Sequence, residues 1–141
     1  MIKDWEGGLT QSAEETIALG GSLSNLIKFG HVISLNGELA SGKTTFMKGV
    51  LKGLNYKDDV TSPTFTLVNE YESTPKIIHI DCYRESNLKR WIGLGIHEYL
   101  EGNSIVFIEW AELIQPLLPE KIIEIKFSHI SENKRKIKLI K

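Results

Sequence analysis

This sequence of 141 residues has little cysteine, no long apolar run and almost no excess of charge of either sign. A single cysteine, Cys82, excludes an internal disulfide framework and a metal site built from cysteines alone. No apolar run approaches the roughly 20 residues that a membrane-spanning helix needs. Seventeen Lys and Arg against eighteen Asp and Glu give a net charge of −1, unlike a domain that binds nucleic acid through charge. These absences predict a cytoplasmic protein that binds neither membrane nor DNA.

Internal repeats, low-complexity segments and linker-like stretches are also absent from the sequence. The composition is 41% hydrophobic and 25% charged, which is ordinary for a globular protein. A chain of this length can bury a core without metal or disulfide cross-links. The sequence therefore predicts a single domain over residues 1–141.

Apolar periodicity predicts an alternation of helices and strands. Helices are expected over 12–29, from after residue 44 to about Gly53, and over 88–100 with a break near Gly93 and Gly95. Gly20 and Gly21 are unfavourable inside the first of these helices. Strands are expected over 31–36, 64–71, 76–81 and 104–109, and the segments 121–127 and 134–140 alternate like an antiparallel pair. This order favours a three-layer α/β fold with a mainly parallel central sheet and antiparallel C-terminal strands.

Residues 37–44, GELASGKT, match the phosphate-binding loop G-x-x-x-x-G-K-[ST] in full. In such a loop, backbone N–H groups surround an anionic phosphate and the following helix adds its positive N-terminal dipole. Lys43 is expected to reach the terminal phosphates, and the Thr44 hydroxyl is expected to bind magnesium. The motif predicts a P-loop NTPase-like fold and a nucleotide site that includes Glu38, Leu39, Ala40, Ser41, Gly42, Lys43, Thr44 and Thr45.

Two carboxylates, Asp81 and Glu109, follow apolar runs that are typical of buried parallel strands. The carboxyl ends of parallel strands meet at one sheet edge, so both side chains are expected beside the phosphate loop. The run before Glu109 is more continuous, whereas His79 interrupts the run before Asp81, whose surroundings are therefore expected to be more polar and more easily hydrated. We therefore expect Glu109 to bind magnesium with Thr44, and Asp81 to act near the terminal phosphate and its attacking water. The reverse assignment is the alternative.

Four blocks of the sequence together resemble the TsaE family, the small bacterial ATPases of tRNA threonylcarbamoyladenosine biosynthesis. These blocks are GELASGKTT at 37–45, SPTFTLVNEY at 62–71, HIDCYR at 79–84 and IEW at 108–110. The resemblance implies an ATPase that binds ATP or ADP with magnesium. Its implied partner is a two-subunit transferase that modifies an adenosine next to the tRNA anticodon, so contact with tRNA would be indirect.

The resemblance also implies roles for individual residues. Asp81 falls on the acidic residue of the family's H-x-D-x-Y-R block, and Glu109 and Trp110 fall on its E-W pair. Lys43, Asp81 and Glu109 would be the catalytic set. Thr10, Ser12 and Thr16 would line the adenine pocket, although for Ser12 a helix cap alone is a sufficient explanation.

Several residues admit two interpretations. The segment 62–64 is either a hydroxyl-bearing loop near the terminal phosphate or a turn before a strand. Trp110 either shields the nucleotide or packs in the core, and His79 is more typical of a packed residue than of a catalytic base. The basic C-terminal segment 134–141 fits a charged edge strand that blocks unwanted pairing, or else a docking surface.

A phosphate-binding loop also occurs in proteins whose function is not ATP hydrolysis. A small-molecule or nucleotide kinase commonly brings arginines from a lid to the transferred phosphoryl group, but the sequence has only Arg84, Arg90 and Arg135 and no obvious lid insertion. A GTP-dependent switch would need an N-K-x-D motif, which does not occur. A nucleotide-sensing scaffold without turnover remains an alternative to a slow ATPase.

Overall fold

A computed structural model describes residues 2–38 and 41–140 of the chain. Their strands form one seven-stranded sheet in the order β1-β7-β6-β2-β5-β4-β3. The strands are β1 Gly8–Thr10, β2 Val32–Asn36, β3 Val68–Tyr71, β4 Ile77–Asp81, β5 Ile105–Glu109, β6 Ile123–His129 and β7 Arg135–Leu139. The helices are α1 Ala13–Ser24, α2 Lys43–Gly53, α3 Leu88–Gly93 and α4 Ile96–Glu101, with 3-10 turns at Ile2–Asp4 and Ala111–Leu117.

The centre of the sheet is parallel, as the sequence predicts. β2 pairs in parallel with both β5 and β6, and β5 pairs in parallel with β4. The outer pairs β3–β4, β6–β7 and β1–β7 are antiparallel. β2, β4 and β5 therefore end at the same edge, and so do the polar residues Asn36, Asp81 and Glu109.

Side chains along the central strands point alternately to the two faces of the sheet, and they contribute to a separate hydrophobic core on each face. Ile33 and Leu35 of β2 point to the side of α1 and α2, where Phe46 and Leu51 pack against them. Val32, Ile78 and Ile108 point to the opposite side, where α3, α4 and the 3-10 turn after β5 supply residues such as Trp91, Ile96 and Ile114. The three-layer α/β prediction is confirmed.

Two glycines allow α1 and α2 to pack backbone against backbone. A Cβ atom added to Gly20 would lie 2.2 Å from the carbonyl oxygen of Phe46, and one added to Gly49 would lie 1.9 Å from that of Ile17. No larger residue fits at these positions, which explains why Gly20 stands inside a helix although propensity alone disfavours it there. This close packing fixes the beginning of α2, and hence the phosphate loop, against the rest of the fold.

Some elements differ from the prediction. The helix expected over 12–29 ends at Ser24. Ile27 is nevertheless buried, because the chain continues to pack against the core after the helix has ended. The strand expected over 64–71 begins only at Val68, since residues 64–66 form a turn and the Leu67 N–H bonds back to the Pro63 carbonyl at 2.7 Å. The strand β1 was not predicted from the sequence.

The helix expected over 88–100 is interrupted where the sequence indicates. α3 ends at Gly93, and Gly95 takes a positive φ of 85° immediately before α4.

Within residues 2–38 and 41–140, no helix is long and apolar enough to cross a membrane.

Candidate functional site

The predicted phosphate loop connects the end of β2 to the beginning of α2. Gly42 precedes the helix with a φ of 102°, in the left-handed region that favours glycine, and its carbonyl accepts the Phe46 N–H at 2.9 Å. The first turn of α2, all of whose residues are described, carries no acidic side chain. Its positive dipole is therefore not neutralised locally, which suits an anion at this helix end. The predicted loop residues Leu39 and Ala40 lie outside the described residues.

Lys43, the invariant lysine of the motif, is buried, with only 5% of its surface exposed. Its Nζ atom donates a hydrogen bond to the Gly37 carbonyl at 2.6 Å and lies 3.3 Å from Oε1 of Glu109. Nζ also lies 5.3 Å from the centroid of the Trp110 ring, within the range of a cation–π contact. The structure thus brings together three residues predicted for the site: Lys43, Glu109 and Trp110.

Glu109 ends β5 between two nitrogen-bearing side chains. One carboxylate oxygen faces Lys43, and the other, Oε2, lies 2.7 Å from Nε2 of His79. Burial raises the pKa of Glu109, but the contacts with His79 and Lys43 outweigh this effect and hold the pKa below its ordinary value. Glu109 is therefore charged at neutral pH.

Asp81 occupies a different environment at the end of β4. Its Oδ1 accepts the Tyr83 N–H at 2.8 Å, and its Oδ2 accepts the Thr64 hydroxyl at 2.9 Å. The expectation of a more hydrated surrounding for Asp81 is wrong, because Asp81 is only 1% exposed and the polar contact of His79 is made with Glu109. His79 reaches Glu109 diagonally, since Asp81 is the register partner of Glu109 on the adjacent strand.

A cavity of about 240 Å³ opens at this edge of the sheet. Its lining comprises Gly42, Lys43, Thr44, Thr45, Ser62, Glu109 and Arg135. The predicted metal ligands, Thr44 and Glu109, thus share one cavity, and a hydroxyl and a carboxylate are the oxygen donors that magnesium prefers. The described residues contain no group of three or more His, Cys, Asp or Glu able to hold a metal ion. Because both donors are oxygens, a hydroxyl and a carboxylate fit a magnesium ion that completes its shell with phosphate and water oxygens.

Ser62 also lines this cavity, which brings the segment 62–64 to the site. The structure combines the two interpretations of that segment: it is a turn before β3, and its Thr64 hydroxyl binds the Asp81 carboxylate. Asp81 does not line the cavity itself. Its link to the loop runs through Thr64.

A second cavity, of about 210 Å³, shares Gly42, Thr45 and Arg135 with the first. It is lined by Ser12, Ala13, Thr16, Gly42, Thr45, Glu132, Asn133 and Arg135. Thr16 is therefore near the phosphate loop, as expected. Thr10 is buried behind it, with its hydroxyl 2.8 Å from that of Thr16. Ser12 caps α1, where its hydroxyl accepts the Glu15 N–H at 3.1 Å.

Comparison with protein families matches residues 10–137 to the model described as "Threonylcarbamoyl adenosine biosynthesis protein TsaE". The chain belongs to the TsaE family. The family takes part in tRNA threonylcarbamoyladenosine biosynthesis, and ATP binding at a phosphate loop is consistent with it.

Individual TsaE relatives match most of the chain. The protein named tRNA threonylcarbamoyladenosine biosynthesis protein TsaE in Treponema pallidum is 35% identical over 129 residues, which cover 92% of this chain and 96% of that protein. The protein of the same name in Aquifex aeolicus is 40% identical over 134 residues, covering 93% and 92%. The crystal structure of Bacillus subtilis YdiB matches with a TM-score of 0.79 at 33% identity, covering 93% of this chain and 81% of that one.

Arg135 is a residue of this TsaE-family site that sequence reasoning missed. It lines both cavities, and its Nη1 donates to the carbonyls of Ser131, Glu132 and Lys134, which fixes the turn between β6 and β7. The signal in the sequence that could have pointed to Arg135 is the basic cluster at 134–141. The interpretation of that cluster as a charged edge strand is wrong, because β1 pairs with β7 and makes it an interior strand.

Trp110 lies between the TsaE-family phosphate loop and an exposed aromatic surface. It has a left-handed φ of 59°, and its ring centroid lies 4.9 Å from that of Tyr83, which is 47% exposed. Beyond it, the Arg84 guanidinium carbon lies 4.2 Å from the centroid of the Phe65 ring, which is 79% exposed. Trp110 therefore contacts the site on one side and the surface side chain of Tyr83 on the other.

Another cavity, of about 570 Å³, lies far from these residues. It is bounded by Ile2, the beginnings of β2 and β6, and Leu139. These strand ends are at the edge of the sheet opposite the phosphate loop. The cavity contains none of the predicted site residues.

Proposed function

We propose that the chain is a magnesium-dependent ATPase that binds ATP, hydrolyses it slowly, and assists the two-subunit transferase that makes threonylcarbamoyladenosine in tRNA. The observation that carries this proposal is the buried Lys43 ammonium, which lies beside Glu109 at a complete phosphate-binding loop. A buried lysine at the N-terminus of α2 favours one class of ligand, namely an anion with several oxygens.

Phosphate binding follows from the loop. The N–H groups at the beginning of α2 and the Lys43 ammonium would surround the β- and γ-phosphates of ATP. Lys43 would then exchange its contact with Glu109 for contacts with phosphate oxygens. The second cavity, beside Thr16, would receive the adenine, and Arg135 lies between the two cavities.

Magnesium would be held by the Thr44 hydroxyl and the Glu109 carboxylate, which line one cavity. When bound, the ion neutralises phosphate charge that develops during transfer. Asp81 would orient the attacking water near the terminal phosphate, since it is linked through Thr64 to the loop that borders the same cavity. In the opposite assignment, Asp81 would hold magnesium and Glu109 would orient the attacking water.

An accessory role is favoured over an independent one by the charge of the chain. The net charge of −1 gives little of the phosphate neutralisation on which independent tRNA binding rests. The transferase complex would therefore supply the tRNA site and the threonylcarbamoyl chemistry, and this chain would supply ATP hydrolysis.

Nucleotide binding is tested by isothermal titration calorimetry with ATP and GTP in the presence of magnesium. We expect ATP to bind more tightly, because the sequence lacks the N-K-x-D motif that reads guanine. Preference for GTP would contradict the assignment of the nucleotide, and absence of binding to either would contradict the function as a whole.

A further inference from the structure

His79 is fully buried in the middle of β4, on the face that packs against α1 and α2, and the proposed function gives it no role. Its register partner on β5 is Phe107, and Ile77 precedes it on the same face. An apolar side chain would fill this position without the free-energy cost of burying an imidazole. Within the described part of the chain, the Nδ1 atom of His79 has no hydrogen-bond partner.

The His79 ring makes a polar contact with Glu109. Nε2 lies 2.7 Å from Oε2, but this oxygen is off the line of the ring N–H bond, so the pair is close without being an aligned hydrogen bond. The other oxygen of the same carboxylate faces Lys43 at 3.3 Å. Glu109 is thus held on two sides, and an incoming phosphate would compete for only one of its two partners.

When Lys43 turns to a phosphate, Glu109 loses the cation that balances its charge. A buried carboxylate left without a partner is strongly destabilised. Of the two charged or polar side chains that contact the Glu109 carboxylate among the described residues, only His79 lies outside the phosphate loop. A small rotation of the carboxylate would bring it into line with the ring N–H. Catalytic hydrogen bonds are often poorly aligned before the ligand binds and tighten afterwards.

We propose that His79 is a positioning residue, which holds the Glu109 carboxylate while Lys43 moves from Glu109 to the phosphates of the nucleotide. This inference rests on the proposed function and adds an order of events to it. Glu109 and phosphate compete for Lys43, and His79 eases the exchange because it keeps the released carboxylate hydrogen-bonded. Glu109 then stays aimed at the cavity that it shares with Thr44.

The test is the affinity for ADP in excess EDTA, measured by calorimetry on the full chain, so that no metal contributes. Glu109→Gln removes the competitor for Lys43 and should bind ADP about threefold or more tightly than the wild type. His79→Leu should bind about tenfold more weakly, the scale of one hydrogen bond to a charged group. His79→Gln keeps an N–H donor of similar reach and should stay within about threefold of the wild type.

A double variant separates positioning from packing. If His79 acts through the carboxylate, then His79→Leu combined with Glu109→Gln should bind ADP as Glu109→Gln alone does. Thermal unfolding checks that each variant is folded, and His79→Met replaces His79→Leu with the same expectation if the leucine variant does not fold.

Three results would overturn the proposal. The first is equal ADP affinity for the wild type, His79→Leu and His79→Gln, which would make His79 a packing residue. The second is a loss that persists undiminished in the double variant, because the effect would not run through Glu109. The third is absence of ADP binding to the wild type, which would refute the proposed function as well and is thereby distinguished from the other two.

Discussion

Asp81 and Glu109 are register partners at the ends of two neighbouring parallel strands, and their carboxylates nevertheless have different partners. Glu109 lies beside the ammonium of Lys43 and the ring of His79. Asp81 accepts hydrogen bonds from a backbone N–H and from the hydroxyl of Thr64, which belongs to the turn before β3. Glu109 has a charged partner and Asp81 has neutral partners, so we expect the two carboxylates to have different tasks in one reaction.

The division of labour between these carboxylates can be measured by exchanging each for its amide. Asp81→Asn retains an acceptor for the Tyr83 N–H and a polar contact for Thr64, so ATP should bind as in the wild type. Turnover should fall by about a hundredfold, the lower range for loss of a group that handles the attacking water's proton. Glu109→Gln should instead raise the magnesium concentration needed for half-maximal activity.

Both amide variants are to be assayed for ATP affinity and for phosphate release across a magnesium series. Each serves as the matched control of the other, because the two positions are equivalent in the strand register. If Asp81→Asn shifts the magnesium requirement and Glu109→Gln does not, the two roles are reversed.

Loss of the Lys43 ammonium should weaken ATP binding. We expect Lys43→Ala to reduce ATP affinity by roughly tenfold to a hundredfold, since hydrogen bonds to charged groups contribute about 1.5–3 kcal/mol. Lys48→Ala is the control, because Lys48 is an exposed lysine on the same helix. Calorimetry that finds equal affinity for a folded Lys43→Ala variant and for Lys48→Ala would contradict the placement of phosphate at Lys43.

Acid should destabilise the protein in part through Glu109. The pKa of Glu109 is lower in the folded protein than its ordinary value of 4.5, so its contribution to stability is present above 4.5 and is lost as the pH falls through the folded-state pKa. Urea unfolding at a series of pH values should show the free-energy difference between the wild type and Glu109→Gln shrinking below about pH 4.5. A difference that stays constant down to pH 3 would show that the carboxylate is not stabilised in its charged form.

The contact between α1 and α2 predicts opposite effects for two adjacent glycines. Gly20→Ala should lower the free energy of unfolding by about 1–3 kcal/mol, because its Cβ would overlap the Phe46 carbonyl. Gly21→Ala has only an ordinary contact at 3.6 Å and should be neutral or stabilising by up to about 1 kcal/mol, since alanine favours helix. Denaturant unfolding of both variants checks this; a similar loss in each would mean that the helices do not pack as closely as described.

Features with a local signal could be predicted from the sequence. The apolar runs that became β2, β4 and β5 carry their own pattern, and the phosphate-loop motif specifies a strand before it and a helix after it. Because parallel strands end at one edge, the proximity of Lys43 and Glu109 followed from the strand assignments alone. Glycine at position 20 is explained only by the three-dimensional contact with α2.

Features that depend on pairing between distant segments could not be predicted. β1 has three residues, too few for a periodic signal, and its pairing with β7 decides that the basic segment is interior to the sheet. Arg135 comes near Gly42 only because β7 turns back beside β6. The contact of His79 with Glu109, rather than with its own strand neighbour Asp81, depends on the register of β4 against β5.

The central claim, an ATPase accessory to a transferase complex, is tested most directly by phosphate release from ATP with and without the purified two-subunit transferase. The account predicts slow release by the chain alone and a severalfold or greater increase when the transferase is added, with Asp81→Asn remaining slow in both conditions. Complete tRNA modification by this chain alone, or a rate of release that the transferase leaves unchanged, would contradict it.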